Sequence, residues 1–157
     1  MNRRILLILA GIGLLVTVPP AMTTASAKEP VVPINQENGV AVRGTDVVAY
    51  FTDSKPIKGK SEFSWQWMGA TWWFASAEHL ELFKANPEKY APQYGGYCSY
   101  AVSKGHIAGI NPNNWKIVEE TLYLNHTFAQ GLWEQHIREN IQKANQNWPE
   151  IQKAIIK

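Results

Sequence analysis

The stretch FSWQWMGATWWFASAEHLELF, residues 63–83, decides the fold. Large apolar residues alternate with other residues on both sides of Gly69-Ala70, which predicts two strands joined as a β-hairpin. The period then changes from two residues to three and four, as it does where a strand gives way to a helix. The stretch therefore predicts a hairpin followed directly by a helix.

The start and end of this helix are marked by local signals. Ser76 is a suitable N-cap, and Glu78 stands in the first turn, where the helix dipole favours an anion. Leu80 and Phe83 share one face, and Asn86-Pro87 ends the helix because proline restricts the residue before it.

Four other elements are predicted around this unit. Residues 46–51 (DVVAYF) are β-branched and aromatic, which predicts a short buried strand. Residues 96–104 predict a helix that ends at Gly105, and residues 115–125 (WKIVEETLYLN) predict a second hairpin that turns near Glu119-Glu120.

The last predicted element is helical. Trp133, Ile137, Ile141 and Ala144 recur at helical spacing from Thr127 onward, and Phe128 and Leu132 extend the same stripe. Pro149 breaks this pattern or starts a short terminal helix. The fold class is α+β: a small single domain with two β-hairpins covered by helices and a C-terminal helical extension.

The first residues have the pattern of a targeting segment. Two arginines precede the apolar run at residues 5–18, and Ala25-Ser26-Ala27 forms a cleavage site, which together predict a secretory signal peptide over residues 1–27. We expect a periplasmic or secreted protein that is cleaved after Ala27. The remaining chain divides into an extended arm over residues 28–43 and one domain over residues 44–157.

Charge argues against a nucleic-acid partner. Removal of Arg3 and Arg4 with the signal peptide lowers the count of basic residues from 15 to 13, which equals the 13 acidic residues. A formally neutral chain without a basic stripe does not attract a phosphate backbone. We also expect no membrane span after residue 27, and the sequence does not predict an oligomeric state.

The single cysteine, Cys98, lies in the stretch QYGGYCSYAVSKGH, residues 93–106. One cysteine cannot form an internal disulfide, so it is an intermolecular bridge, a metal ligand, a reactive group or a buried apolar residue. A helix over residues 96–104 would place Cys98 in its first turn, where backbone N–H groups stabilise a thiolate. Gly95 and Gly96 would let a backbone, an ion or a substrate approach closely. However, Ala101 and Val102 share a helix face with Cys98, which favours a core position.

Histidines are the available partners of this thiol. His106 follows the Cys98 helix at the start of a loop, and His79 lies on a helix edge from which it could reach Cys98. The other two histidines are His126 and His136, and no two of the four histidines have the sequence spacing of a metal-ligand motif. Thiolate, imidazole and the thioether of Met68 suit copper, so the candidate metal ligands are Cys98, His106 and His79. Asp46 and Asp53 flank the predicted first strand without an evident partner.

Several segments together carry a family resemblance. DVVAYF, the run from residue 63 to residue 105 with NPEKY and GGYC, and WKIVEETLYLN resemble the exported YHS domain-containing (seleno)proteins from about Gly44 to Pro149. The resemblance implies a YHS/treble-clef-like core. It also implies chemistry at Cys98, because some relatives carry selenocysteine at the corresponding position.

The same resemblance argues against a simple transfer of a metal site. Metal-binding YHS modules, such as those attached to copper-transporting pumps, place cysteines where this chain has Ala49 and Ala75. Two hypotheses follow. The first is a module that binds a soft metal ion, with copper favoured, through Cys98 and His79 or His106. The second is a thiol redox enzyme or sensor in which Cys98 reacts with a small thiol or disulfide and an external reductant restores it.

Overall fold

The structure, a computed structural model, describes residues 33–156, so the predicted signal peptide and the first residues of the predicted arm lie outside the described residues. Helices and short strands occur together in one small unit, which confirms the α+β class. The strands are β1 (Gln36–Glu37), β2 (Val40–Ala41), β3 (Thr45–Asp46), β4 (Ile57–Lys58), β5 (Lys60–Trp67), β6 (Ala70–Phe74), β7 (Trp115–Val118) and β8 (Thr121–Leu124). The α-helices are α1 (Ala49–Thr52), α2 (Ala77–Ala85), α3 (Pro87–Tyr90), α4 (Ser99–Ser103), α5 (Gln130–Gln135) and α6 (Ile137–Ile155).

The main sheet has four strands in the order β1-β2-β6-β5, and β2 and β6 are its parallel pair. Strands β5 and β6 form the predicted hairpin. Its two-residue turn is Met68-Gly69, one residue earlier than predicted, and both residues have positive φ, 51° and 74°. Positive φ at both central positions is the geometry that matches the twist of the flanking strands.

The second predicted hairpin is also present, as β7 and β8. Its turn residues, Glu119 and Glu120, both have positive φ, 49° and 63°, although neither is a glycine or an asparagine. The pairing of four residues on each side holds this turn in place.

The N-terminal segment differs from the predicted arm. Residues 36–41 form a third hairpin, β1 and β2, around Asn38-Gly39, and β2 pairs with β6. Asn-Gly is the strongest short hairpin signal. The prediction of an extended arm instead gave more weight to the two prolines of the segment.

The predicted strand over residues 46–51 is wrong. Only Thr45–Asp46 is a strand, paired with β4, and the chain then turns into helix α1. The Asp46 Oδ1 atom accepts hydrogen bonds from the Val48 and Ala49 N–H groups, at 2.9 and 3.3 Å. This carboxylate caps a helical turn and overrides the strand propensity of the residues that follow.

Two predicted helix starts have different outcomes. Ser76 caps α2 as predicted and accepts a hydrogen bond from the His79 N–H at 3.2 Å. The helix predicted over residues 96–104 is shorter, because residues 93–96 form a 3-10 turn with Gly95 and Gly96 at positive φ. Helix α4 begins at Ser99, so Cys98 is its N-cap residue and does not lie in the first turn.

The C-terminal helical extension is divided in two. The chain leaves helical geometry at His136, between α5 and α6, and Pro149 lies inside α6 without ending it. Trp133 and Ala144 are fully buried, as predicted. The prediction for Phe128 and Leu132 is wrong, since they are 84% and 47% exposed.

Two groups of buried residues form the core. In the first group, Trp72 and Phe74 pack against Phe83, with their ring centroids 5.2 and 5.0 Å from that of Phe83 respectively. Tyr123 and Trp133 lie in the second group, which α6 covers. Such aromatic contacts bury large apolar areas, which stabilise a domain that has no internal disulfide. Among the helices of residues 33–156, none has the length and apolarity that crossing a bilayer requires.

Candidate functional site

A buried aspartate orients His79. The His79 Nδ1 atom lies 2.7 Å from Asp46 Oδ2, and the side chain of Asp46 is fully buried. The same Oδ2 accepts a hydrogen bond from the Ala75 N–H at 2.8 Å, while Oδ1 caps α1. Because a carboxylate only accepts hydrogen bonds, Nδ1 carries a proton in this arrangement and the ring orientation is fixed.

The second ring nitrogen, Nε2, points at the end of α1. It lies 3.3 Å from Thr52 Oγ1 and 3.6 Å from Asp53 Oδ2. The Thr52 hydroxyl also lies 2.7 Å from Asp53 Oδ2. The side chain of His79 is 14% exposed and that of Asp53 is 37% exposed, so the pair is accessible from solvent.

These two groups have the spacing of two ligands of one metal ion. Donor atoms about 2.1 Å from an ion lie about 3.0 to 3.6 Å apart at angles of about 90 to 120°. The observed Nε2 to Oδ2 distance is 3.6 Å, at the wide end of this range. A carboxylate that binds the other ring N–H is the usual second partner of a metal-bound histidine, and Asp46 occupies that position. His79 Nε2 and Asp53 Oδ2 therefore have the spacing of two metal ligands, although the described residues do not complete a set of three.

Cys98 lies in a different environment. The residue is 1% exposed, and its N–H donates to the Ala108 carbonyl at 3.0 Å. The thiol donates to Asn125 Oδ1, with Sγ 3.6 Å away, and Sγ accepts from the His126 N–H at 3.3 Å. The polar contacts of the thiol group are therefore with the segment after β8.

The two glycines before Cys98 serve chain packing. A Cβ atom on Gly95 would lie 2.0 Å from the Pro33 carbonyl oxygen. Asn35 donates its backbone N–H to the Gly95 carbonyl and its side-chain amide to the Gly96 carbonyl, at 2.8 and 2.9 Å. The backbone that approaches these glycines is thus the chain's own N-terminal segment.

The three predicted metal ligands do not share contacts. His106 is exposed, and its N–H donates to the Ala101 carbonyl at the end of α4. His79 contacts Asp46, Thr52 and Asp53, which are not the predicted partners. Across residues 33–156, no group of three or more His, Cys, Asp or Glu side chains is arranged to hold a metal ion.

The partners of His79 could not be found from local sequence patterns. Asp46 is 33 residues away from His79, and only the packing of β3 near α2 brings them together. The one usable signal is Asp46 itself, because an aspartate side chain often accepts a hydrogen bond from the backbone N–H two residues on, here that of Val48.

A groove lies beside this site. It has a volume of about 700 Å³, and Thr52 lines it. The groove and the His79 site therefore share one residue.

Comparison with known proteins covers part of the chain. Residues 48–94 match the family model of the YHS domain. No curated protein and no solved structure matches the chain. The matched segment contains Thr52, Asp53 and His79, whereas Asp46 and Cys98 lie outside it. This match confirms the resemblance to YHS domains over residues 48–94.

Proposed function

We propose that this protein is a metal-binding YHS-domain protein whose ion, with copper favoured, is held by His79 Nε2 and the Asp53 carboxylate. The observation that carries the proposal is the 2.7 Å contact between Asp46 Oδ2 and His79 Nδ1, which turns Nε2 toward Asp53. The YHS family is associated with metal binding, in particular of copper, and the matched segment contains both donors.

The donor set favours Cu(II) among the divalent ions. Imidazole nitrogen and carboxylate oxygen suit Cu(II), which has the highest affinity of the first-row divalent ions for such sites. The soft-ion hypothesis based on Cys98 needs a thiolate, and this thiol is buried and hydrogen-bonded to Asn125. Copper thus remains the favoured ion, but its proposed ligands are His79 and Asp53 and do not include Cys98.

Export is part of the proposal. The signal pattern at residues 1–27 supports a protein that acts in the periplasm or outside the cell. Copper in an oxidising compartment is available as Cu(II), which agrees with the donors at His79.

The test is a Cu(II) titration of the purified protein, followed by electron paramagnetic resonance. We expect one bound Cu(II) with nitrogen hyperfine structure, and an affinity at least tenfold lower in His79→Gln and in Asp53→Asn. His106→Gln is the matched control, because His106 is exposed and distant in sequence from both donors. Equal affinity in wild type and His79→Gln would contradict the proposal.

Thiol chemistry at Cys98 is the second candidate function. The observation in its favour is the His126 N–H, which points at Sγ from 3.3 Å and would stabilise a thiolate. Cys98→Ser separates the two candidates. It leaves Cu(II) binding unchanged if His79 holds the ion, and it abolishes Cu(I) uptake or thiol exchange if Cys98 is the functional group.

A further inference from the structure

We propose that a second groove, between the β7–β8 hairpin and α6, binds a free α-amino acid with an apolar side chain. In this arrangement Arg138 binds the carboxylate of the ligand, and Glu119 binds its ammonium group. The groove has a volume of about 530 Å³, a size that accommodates a small organic molecule. The proposed copper site is separate, because neither His79 nor Asp53 lines this groove.

The two walls of the second groove carry charges of opposite sign. Glu119 stands in the turn of the hairpin and Arg138 in the first turn of α6, and both line the groove. Across residues 33–156, neither side chain forms an ion pair with the other or with a third residue. Such charges suit a zwitterion, since a guanidinium pairs with a carboxylate and a carboxylate accepts hydrogen bonds from an ammonium group.

The position of Arg138 does not serve the stability of its own helix. A cation in the first turn opposes the helix dipole, which favours an anion there. The next residue, Glu139, supplies that anion, and its carboxylate pairs with Lys143 at 2.6 Å. The carboxylate of a ligand in the groove would offset the unfavourable position of Arg138.

Helix α6 presents a row of polar side chains to the groove. Arg138, Gln142 and Gln146 recur at four-residue spacing, so they share one helix face, and all three line the groove. Asn145 lies beside this row, and its Oδ1 accepts a hydrogen bond from the Tyr94 hydroxyl at 2.9 Å, which leaves the amide NH₂ group as a donor. These amides can donate hydrogen bonds to the ligand carboxylate next to Arg138.

The groove also has an apolar part. Val118 and Ile141 line it from its two walls and are half-buried, so an apolar side chain of the ligand would cover their remaining exposed surface. Tyr123 lies beside Glu119: burial raises the pKa of its phenol, and the Glu119 carboxylate raises that pKa further. The neutral phenol oxygen is therefore a second acceptor for the ammonium group.

The turn that carries Glu119 has a strained backbone. Glu119 and Glu120 have φ of 49° and 63°, a conformation that residues with a Cβ adopt only at a cost. Strain of this kind is often retained at functional sites. Here the turn places Glu119 in the second groove and Glu120 in the groove beside Thr52.

The probe is L-leucine, which combines both charged groups with an apolar side chain. It is titrated into isotope-labelled, copper-free protein and followed by NMR, because free amino acids chelate Cu(II). The matched ligands are N-acetyl-leucine, which lacks the ammonium group, and leucinamide, which lacks the carboxylate. We expect each of them to bind at least about tenfold more weakly than leucine, because each loses one charged hydrogen-bonding group.

Two variants assign the two ends of the ligand. Arg138→Gln should lower the affinity for leucine at least about tenfold and leave that for leucinamide unchanged, because leucinamide has no carboxylate. Glu119→Gln should lower the affinity for leucine and leave that for N-acetyl-leucine unchanged. The control variants are Glu120→Gln, which changes the other groove, and Lys143→Gln, which changes a cation of α6 that pairs with Glu139.

Three results would overturn the proposal: no saturable binding of leucine, equal affinity for the three ligands, or wild-type affinity for leucine in Arg138→Gln and Glu119→Gln. Both side chains are exposed, so their replacement should leave the fold intact. The Cu(II) titration tests the copper site independently, since none of these variants changes its donors.

Discussion

Asp46 connects three parts of the chain at the residue scale. Its carboxylate accepts hydrogen bonds from the backbone N–H groups at the start of α1, from the Ala75 N–H after β6 and from the His79 ring. A fully buried carboxylate is costly unless every lone pair is used, and these contacts use them. The same residue thus stabilises the fold and orients the proposed metal ligand.

Asp46→Asn tests this double role. An amide places an NH₂ group against donors that need an acceptor, so we expect a loss of about 3 kcal/mol in the free energy of unfolding. Urea denaturation measures it. Asp53→Asn is the control, since Asp53 is partly exposed and its replacement should change stability by less than about 0.5 kcal/mol. Equal stability of the two variants would contradict the assignment of Asp46.

Gly95→Ala tests the tight contact with the N-terminal segment. The residue has φ +61°, and a Cβ would meet the Pro33 carbonyl oxygen at 2.0 Å. We expect a loss of about 2 to 4 kcal/mol from left-handed strain and displacement of the chain. Gly69→Ala also has positive φ but lies in open space, so it should lose only about 1 to 2 kcal/mol. The difference between their urea midpoints isolates the clash.

At this scale the sequence predicted part of the site. The sequence predicts His79 as a candidate ligand from its place on a helix edge, with Cys98 as its partner. The actual partners come from β3 and α1, which no local pattern links to α2. Local capping signals, such as Ser76, are readable because donor and acceptor lie within one turn.

The secondary-structure elements were predicted best where the two-residue apolar period of the strands and the position of a turn indicate the same hairpin. Both predicted hairpins are present because alternating apolar residues flank a two-residue turn. The prediction of a strand over residues 46–51 is wrong because the hydrogen bond from the Val48 N–H to the Asp46 carboxylate stabilises a helical turn more than the β-branched residues favour a strand. Two apolar residues of the predicted stripe remain exposed: Phe128 precedes α5, and Leu132 lies in α5 before the break at His136 changes the direction of the stripe.

The burial of Cys98 predicts slow thiol chemistry. The thiol is 1% exposed and contacts the segment after β8, so a reagent reaches it only when this segment opens. We expect alkylation by iodoacetamide to be at least a hundredfold slower in the native protein than in 8 M urea. A native rate similar to the denatured rate would support thiol redox function and contradict the burial of Cys98.

Buried tyrosines give the whole molecule a predictable response to alkaline pH. Burial raises the pKa of Tyr50 and of Tyr94 well above the ordinary value, with smaller contributions from Asp46 and Tyr123 respectively. In the unfolded chain these phenols ionise at about pH 10, whereas the folded protein keeps them neutral. The stability they contribute is therefore fully present below about pH 10 and is lost as the pH rises further.

The urea midpoint measured between pH 8 and pH 11 checks this response. We expect a fall above pH 10 that is smaller in Tyr50→Phe, which has no phenol to ionise. Tyr50→Phe also loses the 2.8 Å hydrogen bond to the Pro112 carbonyl, so its midpoint at pH 8 should be lower. An identical fall in both proteins would exclude Tyr50 as its source.

The central claim is that His79 and Asp53 form a copper site in the folded molecule. Anomalous diffraction at the copper edge, from crystals grown with Cu(II), locates the ion directly. The account predicts one peak about 2 Å from His79 Nε2 and from an Asp53 carboxylate oxygen. A peak at Cys98 Sγ, or no peak at His79 in crystals that contain bound copper, would contradict it.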